Sequence, residues 1–461
     1  MAVYLRSNRG GLKLLHEGFE YDKERCFKEK TYWQCSRKLE CKARAHTIDE
    51  EVVKLINEHS HAPSRLDQEA KLAYSSMKER ARTTEEPNQA IVGRLVAEMT
   101  PEACSYLPPQ DTVKRTLRRA RAMEQRPMAL PSRLEDVVIP AQYASKIDGS
   151  RFLLHDSGVQ DQDRFLIFCS PQMVDVLRTS KKWFADGTFK VAPELFYQVY
   201  SLHCEVGGSI LPAAYILLTR KDCGTYTRAL NTTLNAKCGG DCEPRTVTVD
   251  YELAAINAFR AVFPSADVRG CFFHLSQCVY RRLQSEGLQE LYAFDPDINL
   301  EARMIPALAI VPQDDVEGAF TELASSIRAE LLPVVDYFED VFIGRLTARG
   351  RRDAQFPIKL WNHHDTVLRG GSKTTNSVEA WHRSFQAHVQ CSHPTLWRFL
   401  EVLQREDALQ LHRLGRLEMG QRFKQASKYA KAAERLKTLA REYDASDVRR
   451  FLRGVARNVS F

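Results

Sequence analysis

Short runs in which apolar and polar residues alternate open the chain. Tyr32-Trp33-Gln34-Cys35 and Val52-Val53-Lys54-Leu55-Ile56 read as strands of a small antiparallel sheet, and Pro63 closes that segment. From residue 66 to 127 the apolar period lengthens to that of helices, predicted around 67–85, 88–98 and 110–126. Pro101 and Pro108-Pro109 break the chain between the last two. A Pro-containing linker spans 128–150. Beyond it, strands are expected over 151–154, 164–168, 183–189, 196–205, 209–218, 245–249 and 267–273, and helices over 171–179, 223–236, 252–263 and 275–285. Three strands in a row, followed by alternating strands and helices, predict an α/β mixed sheet with helices on its faces. Residues 286–370 are mostly helical, without a strong strand, and 377–461 are all-helical.

Size and charge add less. The 461 residues are 44% apolar and 27% charged, ordinary for a globular chain of two or three domains. The net charge of +7 is mildly basic, with arginine concentrated in 115–126 and 345–352. No run of eighteen apolar residues occurs, so no membrane helix and no membrane partner is expected. The opening Met1–Arg6 lacks the apolar core of a secretory signal. The twelve scattered cysteines therefore read as reduced thiols and metal ligands in an intracellular protein.

Cys35 and Cys41 form a C-x5-C pair, and His59 and His61 an H-x-H pair seventeen residues further on. Two thiolates and two imidazoles complete a tetrahedral zinc shell. A domain of about sixty residues has too small a core to be secure alone, so bound zinc would contribute directly to its folding. His46 is a possible substitute ligand, and Cys26 reads as an ordinary buried thiol. Arg37, Lys38, Lys42 and Arg44 surround the ligands, either as contacts to DNA phosphate or as a solvated basic face. Lys114, Arg115, Arg118, Arg119 and Arg121 follow Pro108-Pro109 on a helix-forming stretch, where 115, 118, 119 and 122 share a face. That stretch is either the last helix of a helix-turn-helix-like DNA reader or a solvent-facing linker helix.

Three acidic positions stand out. Asp186 interrupts the apolar run 183–189, where Gly187 would allow a close approach of backbone or ligand. Asp250 ends the apolar strand Thr246-Val247-Thr248-Val249, at the strand end where open α/β sheets place their chemistry. Glu379 falls in the first turns of a helix that Thr375 or Asn376 can cap. Singly, each has a structural explanation: a turn for Asp186, a helix cap for Asp250, the helix dipole for Glu379. Together, two aspartates on neighbouring strands and a glutamate on a later helix can bind two Mg²⁺ or Mn²⁺ ions. Glu252 is close enough to Asp250 to support it, or else stabilises its helix. Trp361 is a candidate base-stacking residue or a core tryptophan.

Gly18-Phe19-Glu20-Tyr21, Tyr32-Trp33-Gln34-Cys35, Cys41-Lys42-Ala43-Arg44 and His59-Ser60-His61 resemble a FLYWCH-type zinc finger over roughly residues 8–63. The segments 183–189, 247–252, Cys271-Phe272-Phe273-His274 and 374–382 resemble the Mutator-like (MULE) transposase domain over roughly 175–390. The resemblance implies a ribonuclease H-like fold with a catalytic DDE triad of Asp186, Asp250 and Glu379. The 128 residues between the last two then read as a helical insertion at about 286–370. Cys271 and His274 match the family's C-x2-H element, as supporting residues or as a buried thiol and a hydrogen-bonded histidine. The family's Cys/His motif after the glutamate is missing: Cys391 and the scattered His388, His393 and His412 follow without its spacing.

The expected organisation is a zinc finger at 1–65, a helical DNA-binding segment at 66–127, a linker at 128–150, the transposase domain at 151–390 and C-terminal helices at 391–461. The expected function is a nuclear, homo-oligomeric DNA transposase acting on double-stranded element ends and target. The alternatives are a domesticated, non-catalytic zinc-finger DNA-binding regulator and a zinc-dependent protein-interaction module.

Overall fold

The computed structural model describes residues 2–6, 11–84, 86–124, 130–146, 148–235, 239–240, 242–371, 376–422 and 427–459. The chain divides into two compact units, Met1–Ala129 and Leu130–Phe461.

The first unit opens with an antiparallel meander, β1 (Val3–Arg6), β2 (Leu12–His16), β3 (Phe19–Phe27), β4 (Lys30–Cys35), β5 (Arg44–Ile48) and β6 (Glu51–Ile56), each paired with the next. Its small core is Leu14, Tyr21, Trp33 and Ala45, one from each of four neighbouring strands. Trp33 is buried because its indole N–H finds a partner, donating to Thr47 Oγ1 at 2.9 Å. Gly18 takes φ +87° where a Cβ would strike Pro63 at 2.6 Å. Helices Arg65–Thr83, Asn88–Ala97, Pro101–Cys104 and Gln110–Glu124 follow, around Met77, Ala81, Ile91, Val92, Val113 and Leu117. Pro101 lies in the expected break between Asn88–Ala97 and Gln110–Glu124, and there it begins the short helix Pro101–Cys104. Its missing N–H and fixed φ suit the first helical position, and the Thr100 side chain accepts the N–H of Ala103. Cys26, expected to be buried, is exposed near the end of β3.

In the second unit, among the described residues, a seven-stranded mixed sheet runs β13-β12-β9-β10-β11-β8-β7. Its strands are β7 (Leu153–Asp156), β8 (Phe165–Phe168), β9 (Lys182–Thr188), β10 (Gln198–Val206), β11 (Ser209–Leu218), β12 (Thr246–Val249) and β13 (Asp267–Gly270). β9, β10 and β11 are antiparallel neighbours, and β12 runs parallel to both β9 and β13. Both faces are covered, which is why β8 and β11 read as unbroken apolar runs. Phe165 and Ile167 face a core built with the helices Pro171–Thr179, Leu253–Val262 and Phe272–Ser285. Leu166 and Phe168 face a second core containing Val137, Tyr143, Trp381, Phe385 and Leu400.

The run 267–273, read as one strand, stops at Gly270. Gly270 packs against the Tyr251 ring, where an added Cβ would lie 2.6 Å from it, and Phe272 turns into the next helix to bury against the first core. The segment 223–236 is not a uniform helix either: Cys223–Thr227 is followed by a wider π-type stretch, Arg228–Asn235. Residues 286–370 are helical apart from a two-residue-per-strand hairpin, Leu346–Thr347 with Gly350–Arg351. Among the described residues, no helix is long and apolar enough to cross a membrane.

Candidate functional site

The first cluster forms at the mouth of the N-terminal sheet. Cys35 ends β4, and the following loop folds back so that Cys41 N–H donates to Arg37 O at 2.8 Å and Cys35 N–H to Ala43 O at 2.9 Å. His59 and His61 come in from beyond β6. The four ligand atoms lie within 4.8 Å of one another, with Cys35 Sγ 3.2 Å from His61 Nε2 and Cys41 Sγ 3.3 Å from His59 Nδ1. Zinc bonds of about 2.3 Å to sulfur and 2.0–2.1 Å to nitrogen, at tetrahedral angles, set such atoms roughly 3.5 Å apart. Burial opposes ionisation of Cys41, but N–H donors from Ala43 and Ser60 outweigh it and hold the thiol below its ordinary value. The donor set and its spacing therefore fit structural zinc.

Two residues of the Phe19-Glu20-Tyr21 strand, which the spacing of ligands does not reveal, orient His59. Phe19 stacks on its ring at 3.6 Å, and Tyr21 Oη lies 2.8 Å from Nε2, the nitrogen left free when Nδ1 binds metal. His46 is not a ligand; it sits on β5 against the edge of Tyr32. Arg37, Lys42 and Arg44 are all exposed, but Arg44 lies 3.6 Å from Glu24 and Lys38 3.5 Å from Asp22. Arg115, Arg118 and Arg119 are exposed on the Gln110–Glu124 helix, with no ion pair among the described residues. Arg121 is occupied differently, donating to the carbonyls of Ala81 at 2.9 Å and Glu86 at 2.7 Å.

The second cluster lies at one end of the mixed sheet. Asp186, on β9, is 6% exposed and opposite Ser201 of β10. Trp183 and Ala185 belong to the first core, and the Asp186 carboxylate turns to the other face, where the helix Asn376–Val389 passes. There Oδ1 accepts the Gly187 N–H at 2.9 Å, and Oδ2 lies 3.3 Å from His382 Nδ1. His382 Nε2 is 3.0 Å from Ser201 Oγ, which in turn is 2.9 Å from His203 Nε2. Burial, then His382, push His203 well below its usual value, so it is neutral. The Gly187 site is filled by the Gln198 side chain, 2.6 Å from where a Cβ would stand, rather than by open space.

Asp250 follows β12, the parallel neighbour of β9, and so reaches the same sheet end. Burial, and then the charges of Asp186 and Glu252, push its carboxyl up to about 7. Glu379, in the first turn of its helix, is likewise pushed to about 7 by burial and then by Asp186. Thr375 lies outside the described residues. His274 Nε2 is 3.5 Å from Glu379 Oε1, and burial lowers its value. Cys271 is fully buried and stands just before the helix that carries His274. Trp361 is fully buried too, its indole donating to Phe342 O at 3.0 Å, as a core residue does.

The helix bearing Glu379 and His382 is fixed from behind. Trp381 donates to the buried Glu406 at 2.7 Å, while the neighbouring Asp407 takes Ser170 Oγ at 2.9 Å and pairs with Lys146. The two ties of Asp407 span more than two hundred residues of sequence and are not visible in it.

Asp250 Oδ1, Glu252 Oε1, Glu379 Oε1 and His274 Nδ1 are buried without a hydrogen-bond partner among the described residues. Unpaired buried acceptors are costly, and oxygen donors of this kind suit Mg²⁺ or Mn²⁺. Among the described residues, no carboxylate group converges as tightly as the zinc ligands do. Asp186 is thus near enough to both Asp250 and Glu379 to raise them, without the three forming a compact ligand set.

The FLYWCH zinc finger domain family matches residues 4–61, and the MULE transposase domain family matches residues 182–278. The first match contains all four zinc ligands. The second contains Asp186, Asp250, Cys271 and His274 and ends before Glu379. The chain is also similar to the human FLYWCH-type zinc finger-containing protein 1, 39% identical over 62 residues. That stretch is 13% of this chain and 8% of that protein, so the likeness concerns one finger.

Proposed function

We propose that this chain is a transposase-derived DNA-binding protein in which Asp186, Asp250 and Glu379 form a divalent-metal site for cutting and joining DNA strands. The observation that carries the reading is that Asp250 and Glu379, both largely buried and each raised to about 7, both feel the charge of Asp186, although Glu379 lies 193 residues from it along the chain. A buried structural ion-pair network would have neutralised these carboxylates with arginine or lysine. Here Asp186 repels both Asp250 and Glu379, and each of those two keeps a buried oxygen with no hydrogen-bond partner among the described residues. The sheet order supports a ribonuclease H-like core, with three antiparallel strands flanked by two parallel ones and the acidic residues on the first and fourth of them. Bound Mg²⁺ or Mn²⁺ would activate a water or a DNA 3′-hydroxyl and stabilise the leaving oxygen. Asp186, Asp250 and Glu379 would hold those ions, the Glu252 backbone N–H would keep the Asp250 carboxylate in place, and His382 would fix the Asp186 rotamer.

The finger and the exposed arginines 115, 118 and 119 would hold the duplex by its phosphates, with Arg37 and Lys42 beside the zinc ligands. Two element ends must be handled together, so the working form would be a homo-oligomer, acting in the nucleus. The test is strand cleavage of candidate element ends in Mg²⁺ or Mn²⁺. Wild type should cut, and Asp250→Ala should lose activity by two orders of magnitude or more. Equal activity in the two would end the catalytic reading.

A second reading, a zinc-finger DNA-binding regulator without catalysis, draws on the family match stopping at residue 278, short of Glu379. It expects Glu379→Gln to leave the biological task untouched.

A further inference from the structure

We propose that Phe189, Tyr197 and Lys221 form a stacking site for an unpaired nucleotide of a DNA strand entering the acidic centre. Two large aromatic rings stand in solvent side by side: Phe189 is 43% and Tyr197 47% exposed, with centroids 5.3 Å apart and planes at 78°. Lys221 Nζ lies 5.8 Å from the Phe189 centroid and 5.7 Å from that of Tyr197. A right-angled aromatic corner offers one ring face to a base and an edge to its rim, and the ammonium supplies the charge for its phosphate.

Topology puts this corner beside the carboxylates. Phe189 follows the C-terminal end of β9, Tyr197 precedes β10, and Lys221 lies beyond the C-terminal end of β11. β10 is antiparallel to both β9 and β11, and β12 is parallel to β9, so all three residues emerge at the sheet end where Asp250 lies. A direct link runs inward. Gln198, next to Tyr197, donates to Tyr226 Oη, and Tyr226 is near enough to feel the charge of Glu252, as Glu252 feels that of Lys221.

The corner is preorganised. Between its two rings, Val191, Ala192 and Phe196 are buried in the second core, His393 N–H donates to Lys190 O at 2.9 Å, and Tyr197 N–H donates to Leu218 O at 2.8 Å. Rigid aromatic surface costs little ordering when it takes a ligand. A single strand is favoured over a protein partner by this combination of stackable faces, one shared cation and a position beside carboxylates that need a phosphodiester brought to them.

This inference takes its purpose from the nuclease reading but is detected without cleavage. The full-length zinc-loaded chain is titrated, with Mg²⁺ and Mn²⁺ omitted, against a duplex with a short single-stranded 3′ overhang carrying 2-aminopurine. Wild type should quench the probe and prefer it to the blunt duplex. Phe189→Ala and Tyr197→Ala should each lose the quench and weaken overhang binding roughly tenfold. Tyr197→Phe should retain both, and blunt-duplex binding should not change. Lys221→Ala should weaken binding while the residual complex still quenches. Equal quenching by wild type, Phe189→Ala and Tyr197→Ala overturns the site, as does absence of a quench in the wild type. Asp250→Asn separates the two ideas: if it and the wild type quench alike and neither cuts DNA with metal supplied, the strand site stands and the nuclease reading fails. If the wild type cuts while the aromatic variants behave like it in both assays, the reverse holds.

Discussion

At Asp250 two demands conflict. A carboxylate that is to bind a cation must be ionised, yet burial and the neighbouring Asp186 and Glu252 hold its proton to about 7 against an ordinary 3.8. Without metal, the folded chain therefore binds more protons than the unfolded one between those values, and Asp250 lowers stability as pH rises through that window. Glu379 acts in the same direction, between 4.5 and about 7. The neutral histidines His203 and His274 push the opposite way below their ordinary 6.5, so the informative quantity is a difference between variants. In chelated buffer, Asp250→Asn should gain thermal stability over wild type, by little near pH 4 and by several degrees near pH 7. A pH-independent difference, measured by thermal unfolding, would contradict this account. His382 makes a separate prediction. Removing its contacts to Asp186 and Ser201 with His382→Ala should weaken Mn²⁺ affinity about 10–100-fold while the melting temperature moves only slightly. Unchanged affinity would mean that His382 only packs.

At the scale of elements, the zinc ligands were legible because each pair is local: two cysteines around one loop and two histidines around one serine. The two aspartates were legible as exceptions, charged groups on or just after strands otherwise made of Trp, Phe and Val, whereas Glu379 looked like any first-turn helix glutamate. What holds them was not. Ser201 and His382 meet across 181 residues, and Trp381 reaches Glu406 only once two helices have packed. Local rules also fall short where a residue has two uses. Pro101 starts a helix as readily as it ends one, and Phe272 suits strand or helix until Gly270 has docked on Tyr251. Phe189 and Tyr197 fall inside expected strands, because exposure at a strand end cannot be told from pattern. The N-terminal meander rests on a core of four residues and on its metal. Cys35→Ser, or a strong chelator, should remove one equivalent of zinc and unfold β1–β6 while the mixed sheet of the second unit keeps its cooperative melt. Hydrogen exchange resolves the two; protected β3 and β4 amides in the zinc-free chain would contradict the structural role.

For the whole molecule, the proposed function divides labour between the two units by charge. Exposed arginines on the first unit would meet phosphate, and carboxylates in the second would meet cations. Binding to duplex DNA should fall steeply with salt, and Arg115→Ala, Arg118→Ala and Arg119→Ala together should lessen the slope of log affinity against log salt by about 2.7, at about 0.9 per lost phosphate contact. An unchanged slope would return that helix to the role of a solvated spacer. Cleavage adds a second requirement, that the acidic residues act as one centre.

Mn²⁺ binding to the zinc-loaded full-length chain, followed by electron paramagnetic resonance, tests that requirement without any choice of DNA. Saturable binding in the wild type, lost in Asp186→Asn, in Asp250→Asn and in Glu379→Gln alike, is the predicted result. Equal Mn²⁺ binding by the wild type and all three variants would contradict it.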